Sequence, residues 1–482
     1  MIRSVWRHRQ AHTLHMHAGM PNNQSLSADR LAWYERPAPR YTSYPPATAF
    51  IPYDSPSRYA ALLADADGTE PSNISLYFHI PFCPHRCLFC GCHTEIGTPG
   101  SRVLAYMDGI GKEMEAMAKC VDPRRQVTQI HFGGGTPNAI PMPVLRKFLG
   151  RVRRQWFIAP NAEIAIECDP SLLDPDRVIA LAGMGFNRIS LGIQDFRPQV
   201  LAAVERRLPA HPIAELVSAA HGSGIGSVNL DLIYGLPLQT PESFEATLET
   251  AIETGADRIS AFGYAHVPWV KGHQSALERY PMPDAATRLN IARASRRFFR
   301  ENGFEPIGMD HFVRKEDELA RAKAASELHR NFQGYCSLRH TGQVYAFGAS
   351  AISQFTHGYG QNRKDLDGYL EAVDKGESPL SKVYYMNARD IMVRAAIDSL
   401  MCYGRLDFAE LLEDTEGNPG ALGDYIRYSR SQMEPLIEDG WVEWENGILR
   451  LTEEGWPFVR HAAAALDPVS AGTVGQRFSK AI

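Results

Sequence analysis

Cys83, Cys87 and Cys90 follow one another with three and then two residues between them. A cubane iron–sulfur cluster has four irons and ordinarily takes four thiolates. Three thiolates leave one iron open to a small molecule, which turns an electron-transfer centre into a reactive one. Cys92 offers a fourth sulfur, but only one residue separates it from Cys90. Structural zinc sites close all four positions and space paired cysteines two to four residues apart. The spacing therefore favours an open cluster over zinc or redox thiols. A disulfide is disfavoured, because no secretion signal is apparent and a reducing compartment is expected. Cys120, Cys168, Cys336 and Cys402 are scattered and read as ordinary buried thiols.

Further polar or glycine positions recur at the ends of apolar runs. The runs cover 74–80, 127–132, 163–167, 188–194, 228–233 and 258–262. The first leads into the cysteine loop, the second into Gly133-Gly134-Gly135-Thr136-Pro137, and the next three end at Glu167, Gln194 and Asp231. Each alone could be a turn or a satisfied core group. Together they put chemistry at one rim, where parallel barrels gather it. The elements between must be helices, expected over 101–119, 143–155, 174–183, 210–221 and 240–254. Thr240-Pro241-Glu242-Ser243 reads as a capped helix start with proline at its first position. Strand–helix alternation implies an α/β fold with a parallel sheet, a partial or open β/α barrel. From about residue 386 the pattern changes to helices and then a hairpin turning at Asn446-Gly447. The expected domains are a flexible N-terminal extension over 1–36, a catalytic barrel over 37–382, and a mainly helical, winged-helix-like cover over 383–482.

Composition narrows the function. The chain has 482 residues, a net charge of -5 and 44% hydrophobic residues. No basic footprint marks a nucleic-acid or lipid surface. The hairpin region is acidic, with Glu434, Glu438, Asp439, Glu443, Glu445, Glu453 and Glu454, so DNA would be repelled. That makes the last domain a structural cover or substrate lid. No apolar run reaches the ~18 residues of a membrane span. The first twenty residues are rich in arginine and histidine, with the first acid at Asp29. A transit peptide shares that bias, but no sustained apolar face develops, and a disordered tail or an initiation site at Met20 is the simpler reading. A cytoplasmic monomer is expected.

The cysteine triad with the aromatic Phe89 next to its last member, joined to the glycine-rich strand end, resembles the radical S-adenosylmethionine (SAM) enzymes. Among them the chain is similar to the oxygen-independent coproporphyrinogen III oxidase (dehydrogenase) family. That similarity rests on Pro39-Arg40-Tyr41-Thr42-Ser43-Tyr44-Pro45, His79-Ile80-Pro81-Phe82-Cys83, Cys90-Gly91-Cys92, Asp231-Leu232-Ile233-Tyr234-Gly235-Leu236-Pro237, 308–312 and 329–335. It implies a 4Fe-4S cluster on Cys83, Cys87 and Cys90, and a first SAM held by Tyr77, Gly134 and Glu167. It implies a second SAM at Phe89, Gly135, Thr136, Gln194, Arg206, Asp231, Ala265 and Ile352. Cys92 matches a family cysteine that is not a ligand. The implied reaction removes hydrogen and carbon dioxide from two propionates of coproporphyrinogen III, giving the vinyl groups of protoporphyrinogen IX. An electron donor and an acceptor are needed. Arg40 and Arg330 are expected to pair with substrate carboxylates, and Tyr41 and Tyr44 to line the macrocycle. The extra residues before Pro39 and the alanine-rich stretch after Arg460 depart from the pattern. Competing readings are a non-enzymatic haem chaperone on the same scaffold, another radical SAM porphyrin-modifying enzyme, and a zinc-stapled structural protein.

Overall fold

The computed structural model describes residues 26–414, 419–469 and 478–482. The six expected apolar runs become parallel strands lying side by side in chain order: β1 (Ile74–Ile80), β2 (Val127–Gly134), β3 (Ile158–Cys168), β4 (Arg188–Gln194), β5 (Ser227–Tyr234) and β6 (Arg258–Gly263). A seventh parallel strand, β7 (Gln343–Phe347), pairs with β1 from the other side. Parallel strands are covered on both faces and so read as nearly unbroken apolar runs. In β1 six of seven residues are buried. Antiparallel strands extend both ends of the sheet to thirteen, in a linear order. The parallel part is the open barrel expected.

Helices α1 (Gly100–Ala118), α2 (Met142–Gln155), α3 (Pro175–Ala182), α4 (Ile213–Gly222) and α5 (Pro241–Glu253) return the chain between strands, and α6 (Ala285–Glu301) follows β6. Their apolar stripes face the sheet; in α2 these are Leu145, Phe148, Leu149 and Val152. The Thr240 cap forms as read: its hydroxyl accepts from the Ser243 N–H at 3.2 Å, and Ser243 Oγ accepts from the Thr240 N–H at 2.8 Å. Two bounds differ. Helix α4 starts three residues later than expected because Pro212 stands at its N-cap. Strand β3 begins five residues earlier, at Ile158. Pro160 and Asn161 read as a turn, and the strand absorbs them by slipping register between Val127↔Ile158 and Gln129↔Glu163.

The second core joins both ends of the chain. Helix Ala388–Tyr403, the hairpin Val442–Glu445/Ile448–Leu451 and helix Val459–Ala465 share it with Tyr34, Tyr41 and Tyr44. The hairpin turn has positive φ at Asn446 (51°) and Gly447 (75°), the handedness a two-residue turn requires. Strand Arg405–Asp407 adds a third strand to this hairpin. The boundary expected at 382/383 needs correction: Leu380–Tyr385 is one strand of the large sheet, paired with Gly358–Asn362. The expected flexible extension is corrected in its last part. Residues 1–25, with the histidine-rich start, lie outside the described residues, but Ala28–Tyr34 is a helix capped by Ser27. Tyr34 is fully buried and Arg30 pairs with Asp439 at 2.6 Å. The described C-terminal residues close the same region, where the Ala38 N–H donates to the Ser479 carbonyl at 3.3 Å. No helix among the described residues is long and apolar enough to cross a membrane.

Candidate active site at the barrel mouth

The cysteine loop leaves β1 and is pinned from several sides. The Leu88 N–H donates to the Val204 carbonyl at 2.9 Å. A segment absent from the sequence reading clamps it from above: Lys271 Nζ donates to the Cys92 carbonyl at 2.7 Å and Gln274 Nε2 to the Phe89 carbonyl at 2.8 Å. His273 Nε2 lies 2.9 Å from the Cys90 carbonyl. Gln274 is fully buried and also reaches the Ala265 carbonyl at 3.2 Å, tying Ala265 to the loop. Phe89 packs beside Leu88, Val200, Val204 and Leu236.

Two sulfurs meet expected site residues. Thr136 Oγ1 donates to Cys83 Sγ at 3.2 Å. Arg206 Nη1 lies 3.7 Å from Cys87 Sγ and 3.0 Å from Asp169 Oδ2, and its Nη2 donates to the Gly192 carbonyl at 2.5 Å. Burial pushes the Cys83 thiol up to about 11. Burial also raises Cys87, while the Arg206 cation opposes it. Among the described residues no three His, Cys, Asp or Glu side chains converge on a single metal ion. A cubane spreads three thiolates over three irons and needs no such convergence. Arg206 Nε, His85 Nδ1 and His93 Nε2 are buried without partners around the loop, so polar capacity there is unspent. The residues present fit a cluster with one open iron.

Glu167 ends β3 against the glycine run. It accepts from the Gly134 N–H at 3.0 Å and contacts His131 Nε2 at 3.0 Å. Burial opposes its ionisation, but the His131 and Gly134 hydrogen bonds outweigh that and hold the carboxyl below its usual range. The glycines make room: a Cβ at Gly133 would stand 2.6 Å from Glu167 Oε1. Gly134 has φ +114°, and a Cβ there would meet His79 at 2.6 Å. A Cβ at Gly135 would meet the Pro81 carbonyl at 2.7 Å. Tyr77 stacks on His131 with centroids 5.8 Å apart, and its hydroxyl lies 3.1 Å from His79 Nδ1. Burial lowers His79 to about 4, so its imidazole is neutral. From the sequence, His79 enters only as the start of the 79–83 motif, with no role, and His131 does not enter. The available signal was a histidine inside an otherwise apolar strand, on the face that alternates with the glycines.

Asp231 accepts from Ser190 Oγ at 2.7 Å and Asn229 Nδ2 at 2.8 Å. Burial raises its carboxyl. Gln194 adopts φ +72° at the end of β4. Ile352 starts the strand that folds back on β7 and is half-buried. Arg40 reaches the rim, with Nη2 donating to the Gly263 carbonyl at 2.8 Å. Arg330 is 4% exposed; its Nε donates to the Tyr41 carbonyl at 3.1 Å and its guanidinium lies 4.5 Å over Tyr335. Tyr41 and Tyr44 are 3% and 1% exposed and belong to the cover core. Their expected place on an open macrocycle surface is corrected: both rings are spent on packing, and the Tyr41 hydroxyl donates to Asp467 at 3.0 Å. Cys168, Cys336 and Cys402 are buried as read, whereas Cys120 is exposed.

The profile of the Radical SAM superfamily matches residues 77–251. The chain is 37% identical to an oxygen-independent coproporphyrinogen III oxidase of Synechocystis sp., covering 95% of this chain and 98% of that protein. It is 36% identical to the Escherichia coli protein of the same name, over 92% and 96% of the two chains. The solved structure of coproporphyrinogen III oxidase from Escherichia coli, described as a radical SAM enzyme, superposes with a TM-score of 0.82 at 34% identity, covering 89% of this chain and 97% of that one. Three sulfurs on a clamped loop, a carboxylate at a glycine-rich strand end and this likeness along nearly the whole length agree, and the chain belongs to the oxygen-independent coproporphyrinogen III oxidase family.

Proposed function

We propose that the chain is a radical SAM oxidoreductase of porphyrin and haem biosynthesis. It converts two propionates of coproporphyrinogen III to vinyl groups without oxygen, giving protoporphyrinogen IX. The observation that carries this reading is the 37% identity over 95% of the chain to a relative bearing that activity in its name. When bound, the cluster and SAM supply a 5'-deoxyadenosyl radical by one-electron cleavage.

The chain's own residues bind, orient and shield. Cys83, Cys87 and Cys90 hold the cluster. Glu167 accepts from the ammonium of the first SAM, with the Gly134 backbone and Tyr77 beside it. His131 fixes the Glu167 rotamer. Phe89, Gly135, Thr136, Gln194, Arg206, Asp231, Ala265 and Ile352 serve a second SAM. Asp231 suits ribose hydroxyls or an ammonium, and Arg206 a carboxylate. Arg40 and Arg330 serve the carboxylates of the substrate, while Tyr41 and Tyr44 anchor the segment that carries Arg40. We assign the protein to the cytoplasm as a monomer, served by a separate electron donor and acceptor; a reducing compartment suits an open cluster on three thiolates.

The test is anaerobic reconstitution with iron and sulfide, followed by SAM cleavage with and without coproporphyrinogen III. The expected product has lost two carbon dioxide units and four hydrogens by mass spectrometry, two propionates having become vinyl groups. A haem chaperone would instead bind haem stoichiometrically and leave the porphyrinogen unchanged.

A further inference from the structure

Away from the cysteine loop, the crevice between α6 and the cover concentrates guanidinium groups. Its inner chamber is walled by Arg40, Arg288, Arg296, Arg460 and Lys480, with Asp310 facing them. An outer cavity of about 420 Å³ is lined by Arg293, Arg296, Arg297 and Arg300, with Glu301, Glu453 and Glu454. Both touch Arg296 and Pro457, so the outer cavity adjoins the inner one. The inner chamber also touches Gly263, the last residue of β6, which places it beside the barrel mouth.

The charges in this crevice are unequally spent. Arg288 and Lys480 share Glu35 at 3.0 and 2.9 Å. Arg296 pairs with Glu453 at 2.8 Å, which also takes Arg300 at 2.9 Å. Arg40 and Arg460 pair with no carboxylate among the described residues. Arg40 donates to the Gly263 carbonyl at 2.8 Å, and Arg460 spends all its nitrogens on the carbonyls of Pro39 at 3.1 Å, Lys480 at 2.9 Å, Ala481 at 3.2 Å, Ser479 at 3.4 Å and Ala38. Arg460 is only 7% exposed. Burial, then repulsion from Arg40, brings its guanidinium down to about 9. Arg330 adds a third buried guanidinium with Nη1 unpartnered. Asp310, whose charge reaches Arg40 and Arg330, is itself bonded to His311 at 2.7 Å. Asp310 and the C-terminal Ile482, whose terminal oxygen accepts from Arg288 at 3.1 Å, are outnumbered by the cations around them, and gathering excess like charge out of water is costly. An incoming carboxylate would relieve that cost.

We propose that this chamber holds carboxylate arms of the substrate, with Arg40 as the ion partner, Arg460 adding its charge from behind and Arg296 at the opening. The proposal rests on the porphyrinogen reading above and extends it to residues of the cover and of α6. A propionate seated there would keep the macrocycle at the barrel mouth, where Gly263 ends β6. Arg296 would exchange Glu453 for the arriving carboxylate.

The test titrates the anaerobically reconstituted enzyme with coproporphyrin III, the oxidised fluorescent form of the substrate, and with its tetramethyl ester. The acid should bind at least about tenfold more tightly than the ester. Arg40→Gln and Arg296→Gln should each weaken the acid by about ten- to a hundredfold and leave the ester unchanged. KM for coproporphyrinogen should rise by the same factor, while kcat moves much less. Arg460→Lys keeps the charge and loses the fork, and should fall between the wild type and those variants. Circular dichroism and cluster absorbance matched to the wild type establish that each variant is folded. Unchanged acid affinity in the folded variants overturns the proposal, as does equal binding of acid and ester by the wild type. Tight acid binding without vinyl product would overturn the reaction reading and leave the chamber standing. Normal turnover with undisturbed KM in the variants would do the reverse.

Discussion

The two ends of the same barrel strands carry similar residues in opposite circumstances. At the start of the second half of β3, Glu163 pairs with Arg188 at 3.0 Å and accepts from Gln129 Nε2 at 2.9 Å. Nearby, Arg258 pairs with Asp317 at 2.7 Å, both side chains under a tenth exposed. Four residues after Glu163, on the same face, Glu167 meets only His131 and one backbone N–H, and 40% of its side chain stays accessible against 10% for Glu163. Burial raises both carboxyls, and their partners lower both. The difference is in what does the lowering. Glu163 is neutralised by protein cations and has nothing left to offer a ligand. Glu167 keeps lone pairs for one. Glu163 and the pairs near it hold the base of the barrel together, whereas Glu167 at the mouth keeps capacity for a partner.

The sharpest way to break this contrast is at the sulfurs. Cys83→Ser, Cys87→Ser and Cys90→Ser should each abolish turnover and lose the cluster absorbance, while Cys92→Ser keeps the absorbance. A stable cluster in any of the three would show that the ligand set is wrong. Next comes the pair of glutamates. Glu163→Gln leaves Arg188 buried without its anion and should cost about 3–5 kcal/mol of stability, read as a lowered denaturant midpoint. Glu167→Gln should leave that midpoint near the wild-type value and weaken SAM binding about ten- to a hundredfold, measured by equilibrium dialysis. Equal midpoints in the two variants would erase the distinction between the ends.

Acid sharpens it further. The Arg188 and Arg258 cations beside Glu163 outweigh the opposing effect of burial and hold its carboxyl down to about 2. Its unfolded value is near 4.5. Its stabilising contribution is full above that value and is lost as pH falls towards about 2. Stability of the wild type should therefore drop over that window, and Glu163→Gln should flatten this part of the drop in pH-dependent denaturation. The smallest expected effect is at His131. His131→Ala frees the Glu167 rotamer and should weaken SAM binding by up to about tenfold with the cluster absorbance kept, in line with the loss of an orienting partner.

Much of this site was legible from local pattern. The ligand spacing lies within eight residues, and the glycine run and Glu167 end strands whose apolar composition already marked them as buried. The Thr240 cap and the Asn446-Gly447 turn are likewise decided within four residues. The rest depends on contacts across long separations. Lys271, His273 and Gln274 reach the cysteine loop over 179–185 residues. Tyr41 and Tyr44 sit in a motif that invites a substrate role, yet packing of the chain's two ends took their rings into the cover. Nothing local marks Arg460, at the head of the alanine-rich stretch, which only the fold sets against residues 38–39 and 480–481.

By itself, the order of amino acids determined which groups could react and which strand ends would carry them, because strand and helix periodicity act over a few neighbours. Only the tertiary structure decided which of those groups are already satisfied. Whether a buried donor, acceptor or charge is spent depends on partners supplied from elsewhere in the chain, and desolvation makes each such pairing, or its lack, count.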